Sequence, residues 1–274
     1  MSDFLAAMAA SSRLRAQETR TSVGEASLRS RTGAARPVVP LSLSADGFDL
    51  IAETKLASPR DGILIQASDA RSEVLDLALR LAGSGCAALS VLTEPDAFGG
   101  GLDHLEAVSG SVTVPVMRKD FLVDPIQVLE ARAAGASGVL LIARIVEVPL
   151  LVDMVDLALH LGMFVLVEIF APDDLDAAAA VFDRDVLVGV NARDLATLEV
   201  DPRRHGDLAR LLPSHLPAVA ESGITTPDAA AAARVAGYRL VLVGTTLSTS
   251  VDPPGTARGL IAAGRAAKVR GSVP

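Results

Sequence analysis

Eight short apolar runs recur along this chain, each followed by a helical pattern. They are FDLIAET (48–54), AALSVLT (87–93), VPVMR (114–118), SGVLLIA (137–143), MFVLVEI (163–169), DVLVGVN (185–191), LPAVAES (216–222) and RLVLVGT (239–245). Val, Leu and Ile follow one another without polar alternation, which describes strands covered on both faces, as in a parallel sheet wrapped by helices. Intervening segments such as VLEARAAG and LDAAAAVF supply strong helix formers. Eight strand–helix units consume a chain of 274 residues. The pattern therefore predicts an α/β chain forming a single (β/α)8 TIM barrel domain over 1–274, with 1–46 as an N-terminal helical extension. A doubly wound open sheet is the competing architecture, but it calls for a GxGxxG turn after the first strand, and none is present.

Charge narrows the partners. The 25 Lys+Arg against 33 Asp+Glu give a net charge of −8, which favours solubility and argues against nucleic acid. An aromatic content of 3% without Trp also argues against base stacking. Cys86 is the sole cysteine, so no intramolecular disulfide is possible and a cytoplasmic location is expected. His104, His160, His205 and His215 lack metal-ligand spacing, and no metal is expected. The longest uncharged stretch, Leu81 to Thr93, is too short to span a bilayer and contains Gly and Ser, so no membrane association is expected. Residues 1–36 hold six Arg against three acids and read as a basic amphipathic lead-in helix. The remainder carries −11, so an anionic substrate would need positive charge placed locally.

In a barrel of this kind the loops after the strands open on one face, and functional groups gather there. The first run ends with Glu53 and Lys55, the second is followed by Glu94, and the third ends at Lys119. The fifth carries Glu168, the sixth Asn191 with Arg193, and the seventh Glu221 with Ser222. Residues two apart on a strand share a direction, so Glu53 with Lys55 and Asn191 with Arg193 can enter one cavity. A structural Glu53–Lys55 ion pair plugging the barrel mouth is the alternative for that pair. For the whole set, burial of unpaired charge from so many separate strands costs too much to be incidental.

The stretch VPVMRKDF raises the question of why a buried strand should end in three charges followed by an exposed-looking Phe121. Emergence at the active face is one answer, and a solvated loop is the other. Lys119, at a crowded and partly desolvated mouth, is expected to have a lowered pKa and to give up a proton. Phe121 and Phe98 can wall an aromatic ligand or serve ordinary packing. Gly223 after the seventh run, with Thr226, Pro227 and Asp228 as a helix start, and Gly244, Thr245 and Thr246 after the eighth suggest a phosphate cradle. Ser58 can add a hydroxyl from the ASPRDG turn.

The stretches IAETKLASP, LSVLTEPDAFGG, PVMRKDFLVDPIQVLEARAAGASGVLLI, LVEI, VGVNARDLATLEVD, AESGI and LVGTTL, running from about 50 to 253, resemble the indole-3-glycerol phosphate synthase family. That resemblance implies ring closure of 1-(2-carboxyphenylamino)-1-deoxyribulose 5-phosphate with loss of carbon dioxide and water, in tryptophan biosynthesis and without a cofactor. It implies Lys119 as the general acid for closure, Lys55 and Glu53 for later proton transfers, and Glu168 as a carboxylate supporting the cation or shuttling a proton. Asn191, Arg193, Glu221 and Ser222 match positions that orient the substrate, and Ser58, Gly223, Gly244 and Thr245 match positions that contact phosphate. The expected partner is a small phosphorylated aromatic substrate, with the protein a monomer or weak homo-oligomer.

Some positions depart from the family pattern: Phe170 where His is usual, Thr54 and Leu56, Arg60 and Asp61, Ile126, and Thr245. They leave open a paralogue acting on a substituted substrate in specialised metabolism. A Schiff-base aldolase and a non-catalytic ligand-binding barrel are the alternatives from other classes.

Overall fold

The computed structural model describes residues 3–60, 62–66, 69–194 and 197–268. Eight parallel strands close into a barrel: β1 (Asp49–Thr54), β2 (Ala88–Leu92), β3 (Val116–Lys119), β4 (Gly138–Ile142), β5 (Phe164–Ile169), β6 (Leu187–Asn191), β7 (Ala218–Glu221) and β8 (Leu240–Val243). Each strand pairs with its neighbours in sequence, and β8 returns to β1 with Asp49 opposite Leu240 and Ala52 opposite Val243. Nearly all of these residues fall within the eight apolar runs, Lys119 alone lying one position beyond its run.

The lack of alternation in those runs has a direct cause. Ile51, Ala88, Met117, Leu140, Leu166, Val219 and Leu242 point inward and fill the barrel with one apolar cluster. Their neighbours Leu50, Leu89, Val116, Val139, Val165, Val188 and Val241 point outward and pack under the helices. Both faces are dry, so the two-residue period of the backbone does not show as a polarity pattern.

The helices are α1 (Asp3–Ser22), α2 (Glu25–Ala34), α3 (Ala70–Ala82), α4 (Pro95–Phe98), α5 (Leu102–Ser111), α6 (Pro125–Ala133), α7 (Val148–His160), α8 (Leu175–Ala178), α9 (Arg203–Ala209), α10 (Pro227–Val235), α11 (Thr245–Ser248) and α12 (Pro253–Ala266). Their starts are chemically specified. Asp124 caps α6, Thr226 caps α10 and Asp252 caps α12, each followed by Pro in the first turn, where the missing N–H costs nothing. In α1 the buried residues Leu5, Ala9, Ser12 and Ala16 recur at the helical period and lay one face on the barrel. Leu5 and Ala9 join the inner cluster at the mouth, while Ala16 packs with Leu28, Ile126 and Leu129. The sequence pattern does not reveal the antiparallel ribbon of Ala57–Ser58 with Gly62–Ile63; two-residue strands carry too little periodicity to read.

Candidate active site

The C-terminal ends of the strands surround a cavity of about 300 Å³. Its lining includes Glu53, Lys55, Ser58, Phe98, Lys119, Phe121, Glu168, Asn191, Arg193, Glu221, Ser222, Gly223, Gly244 and Thr245. Every residue to which the family resemblance gave a role thus reaches one space, as do Phe98 and Phe121, whereas Glu94 and the Thr226–Asp228 helix start do not line it. Phe4 of α1 also lines it, with Arg60, Leu140 and Ile142. Phe4 carries no sequence signal for this role, because its approach depends on how α1 docks against Phe121, a residue far along the chain.

The polar half of the cavity gathers Lys55 and Lys119 with the carboxyls of Glu53, Glu168 and Glu221. Lys55 Nζ lies 3.2 Å from one oxygen of Glu53, and Lys119 Nζ lies 3.5 Å from the other. The Glu53–Lys55 ion pair considered above therefore exists, and it sits inside the cavity with Lys119 as a third member. Asn191 Nδ2 donates to Glu168 at 3.2 Å, and the Asn191 side-chain oxygen accepts the Arg193 N–H at 2.9 Å. Arg193 Nη1 donates to the Leu198 carbonyl at 2.9 Å. Among the described residues, one oxygen of Glu168 and both oxygens of Glu221 are buried without a hydrogen-bond donor.

Burial pushes the Glu53 carboxyl up, but Lys55 and Lys119 outweigh it and hold the group below its usual range. Glu221 is pushed well above its ordinary value by burial and by the negative charge of Glu168. Burial also raises Glu168, against the opposing pull of Lys119 and Asn191. Two adjacent buried carboxyls cannot both ionise freely, so the pair is built to hold a proton.

Lys119 corrects an expectation. Burial does lower its pKa, but Glu53, Glu168 and Glu221 more than reverse this, and the ammonium is held above its ordinary value. Three acidic groups carrying net negative charge beside one amine keep the proton on it.

Strand parity resolves the VPVMRKDF stretch. Arg118 turns outward beneath α6, donating to Thr93, Asp120, Glu130 and the Gln127 carbonyl at 2.9 to 3.2 Å. Lys119 turns into the cavity. Asp120 accepts both terminal nitrogens of Arg15 from α1 at 2.9 Å, so two of the three charges are structural. Phe121 is buried, not exposed as its position suggested. Its ring meets Phe4 edge-on at 6.1 Å and Phe98 at 6.3 Å, forming an apolar wall. Glu94 serves a different purpose from the strand-end acids around it, capping α4 by accepting from the N–H groups of Asp96, Ala97 and Phe98.

Glycines make room for the acids. A Cβ on Gly244 would sit 2.0 Å from Glu53 Oε1, and one on Gly189 would sit 2.0 Å from Glu221 Oε1. Gly189 escaped notice in the sequence, although a Gly inside an apolar strand signals close approach. Gly223 has φ 77°, and Ser222 before it has φ 65°, so the chain after β7 turns through two left-handed residues at the mouth.

The departures from the family pattern mostly become packing. Thr54, Leu56, Ile126 and Phe170 are buried, whereas Thr245 and Arg60 line the cavity; Asp61 lies outside the described residues. The Arg144 guanidinium stands 5.1 Å from the Phe170 ring centroid and forms a bidentate pair with Asp174 at 2.7 Å.

Among solved structures, the chain is similar to 3-hexulose-6-phosphate synthase from Salmonella typhimurium, with a TM-score of 0.62 at 13% identity over 78% of this chain and 97% of that one. That likeness speaks for the barrel alone. In sequence it is 41% identical over 239 residues to the indole-3-glycerol phosphate synthase of Mycobacterium sp. (strain KMS), covering 86% of each chain. It is 45% identical over 221 residues to the enzyme of that name from Leifsonia xyli subsp. xyli (strain CTCB07), covering 80% of this chain and 82% of the relative. The family model described as indole-3-glycerol phosphate synthase matches residues 5–260, a span that holds every cavity residue named above except Phe4, and the chain belongs to the indole-3-glycerol phosphate synthase family.

Proposed function

We propose that this cavity converts 1-(2-carboxyphenylamino)-1-deoxyribulose 5-phosphate to indole-3-glycerol phosphate, as a decarboxylating lyase of tryptophan biosynthesis working in the cytoplasm. The observation that supports it most is the meeting of Glu53, Lys55, Lys119, Glu168, Asn191 and Glu221 from five strands opposite a wall of Phe4, Phe98 and Phe121. The arene would lie against the phenyl rings. The phosphate would lie by Ser58, Gly223, Gly244 and Thr245, and Arg193 would face the carboxylate.

In the first step the aryl carbon bearing the carboxylate attacks the ketone carbon, and Lys119 gives its proton to the ketone oxygen as charge develops there. Its acidic neighbours keep the ammonium protonated for that donation while making it a weaker acid. The same charge makes it a poor nucleophile, which counts against a Schiff-base mechanism. Cleavage of the bond to the carboxylate then releases carbon dioxide and restores the ring. In the second step the new hydroxyl leaves as water, with the aniline nitrogen supplying electrons and the Glu53–Lys55 pair relaying protons. Loss of a proton from the adjacent methylene carbon completes the indole. Glu168 and Glu221, sharing a proton, face the cation formed between these steps.

The direct test is to mix the purified protein with this substrate and follow indole absorbance and fluorescence; a folded protein yielding no indole product rejects the proposal. Lys119→Met should lower kcat by about 10²–10⁴-fold while substrate binding persists. Turnover at the wild-type rate in that variant would remove Lys119 from its assigned role.

A further inference from the structure

Just outside the cavity, two consecutive residues at the start of α9 hold the backbone of two residues inside it. Arg204 Nη1 donates to the Asn191 carbonyl at 3.3 Å, and His205 Nε2 lies 3.0 Å from the Glu221 carbonyl. The Glu221 carbonyl also accepts the Ala192 N–H at 2.9 Å. It is therefore held from two directions at the point where the chain enters the left-handed turn, with Ser222 at φ 65°. A residue other than glycine keeps such a backbone only where its surroundings over-determine it.

His205 is itself fixed. Its ring is buried and meets Tyr238 edge-on at 5.5 Å. The Tyr238 hydroxyl donates to the His205 carbonyl at 2.8 Å, and Tyr238 is fully buried. Burial pulls the imidazole below its ordinary pKa, with the Glu221 and Val190 backbones opposing. A neutral ring carrying its hydrogen on Nε2 makes the bond to Glu221.

We propose that His205 is a positioning residue for ring closure, its Nε2–H fixing the Glu221–Ser222 peptide and with it the direction of the Glu221 carboxyl and the Ser222 turn. The proposal rests on the function given above for the cavity. His205 touches no reacting atom; it acts through the main chain of Glu221. The Glu221 carboxyl has little freedom to compensate for a shift of its backbone, since Gly189 leaves it a gap with no space for even one more carbon. A displacement of about 1 Å is enough to cost on the order of 100-fold in rate.

The test compares His205→Phe, which keeps a flat ring without the donor, with His205→Gln, whose amide can donate. Phe should lower kcat by about 10–100-fold with KM changed less than about threefold, and Gln should recover most of that loss. Equal losses in the two variants, or a folded Phe variant within about twofold of wild-type kcat, would overturn the proposal. If His205→Phe does not fold, Tyr238→Phe removes only the hydroxyl that anchors His205. That variant should lower kcat by a smaller factor, and an unchanged kcat overturns the proposal. A crystal structure of the folded variant separates this inference from the functional one. If wild type makes no indole, the cavity assignment fails, yet loss of the left-handed Ser222 in the variant still supports the clamp and its retention rejects it.

Discussion

At the scale of single residues the site opposes stability to function, and Glu221 shows it best. Its carboxyl is buried against Glu168 and raised well above the ordinary value. A group whose pKa rises on folding supports the fold below its unfolded pKa, and that support disappears as the pH climbs through the folded value. Glu221→Gln removes the ionisation, so the variant should gain on wild type as the pH rises and match it most closely in acid. At pH 8 we expect a Tm higher by about 2–4 °C, on the order of 1 kcal/mol for a chain of this size, together with a fall in kcat. Thermal melts of both proteins from pH 4 to pH 9 would reveal the divergence; parallel curves would mean that Glu221 carries no folding cost. The acids and cations of the site were legible in the sequence because strand ends and parity place them. The proton on Lys119 was not, because the sign of its shift depends on how many carboxylates converge from other strands, which no local pattern records.

Among elements, α1 matters for the site through a buried anchor. Asp120, next to Lys119, accepts Arg15 from α1, Arg118 from its own strand and the Thr93 hydroxyl at 2.7 to 3.0 Å. Burial pushes this carboxyl up, but the two guanidinium groups and Thr93 hold it well below its usual range. A depressed pKa adds stability above the unfolded value, and that stability is lost as the pH falls toward the folded value. Asp120→Asn leaves the buried Arg118 with Glu130 as its remaining acidic partner and takes the charge from under Arg15, and should cost about 3 kcal/mol at neutral pH. Chemical denaturation should show this gap narrowing below about pH 4, where wild-type chains unfold with Asp120 protonated. A constant gap would assign the cost to packing. The same variant should raise KM, because α1 carries Phe4 to the arene wall. The strands were readable since each is an apolar run bounded by polar residues. The docking of α1 was not, since the acid that receives Arg15 lies 105 positions along the chain and looked like part of a charged loop.

For the whole molecule, the barrel closes only when its two ends meet, β1 against β8 and α12 over β1. Gly264 of α12 lies directly on Phe48, and a Cβ there would stand 2.0 Å from Phe48 Cδ1. Arg265 beside it donates to the Phe48 carbonyl at 3.0 Å and to Asp49 at 3.1 Å. These contacts lie at the N-terminal ends of the strands, the face of such barrels that serves stability, with the catalytic groups at the other end. Gly264→Ala must therefore push the last helix off the first strand, an overpacking that should cost about 1–3 kcal/mol. The entire barrel should feel it in one cooperative transition, because neither end of the sheet can remain paired while the other opens. Activity should be untouched well below the new midpoint, with kcat and KM unchanged. A variant that lost turnover without losing stability would show that the two faces of the barrel are mechanically coupled, and that closure sets the geometry of the site as well as its persistence.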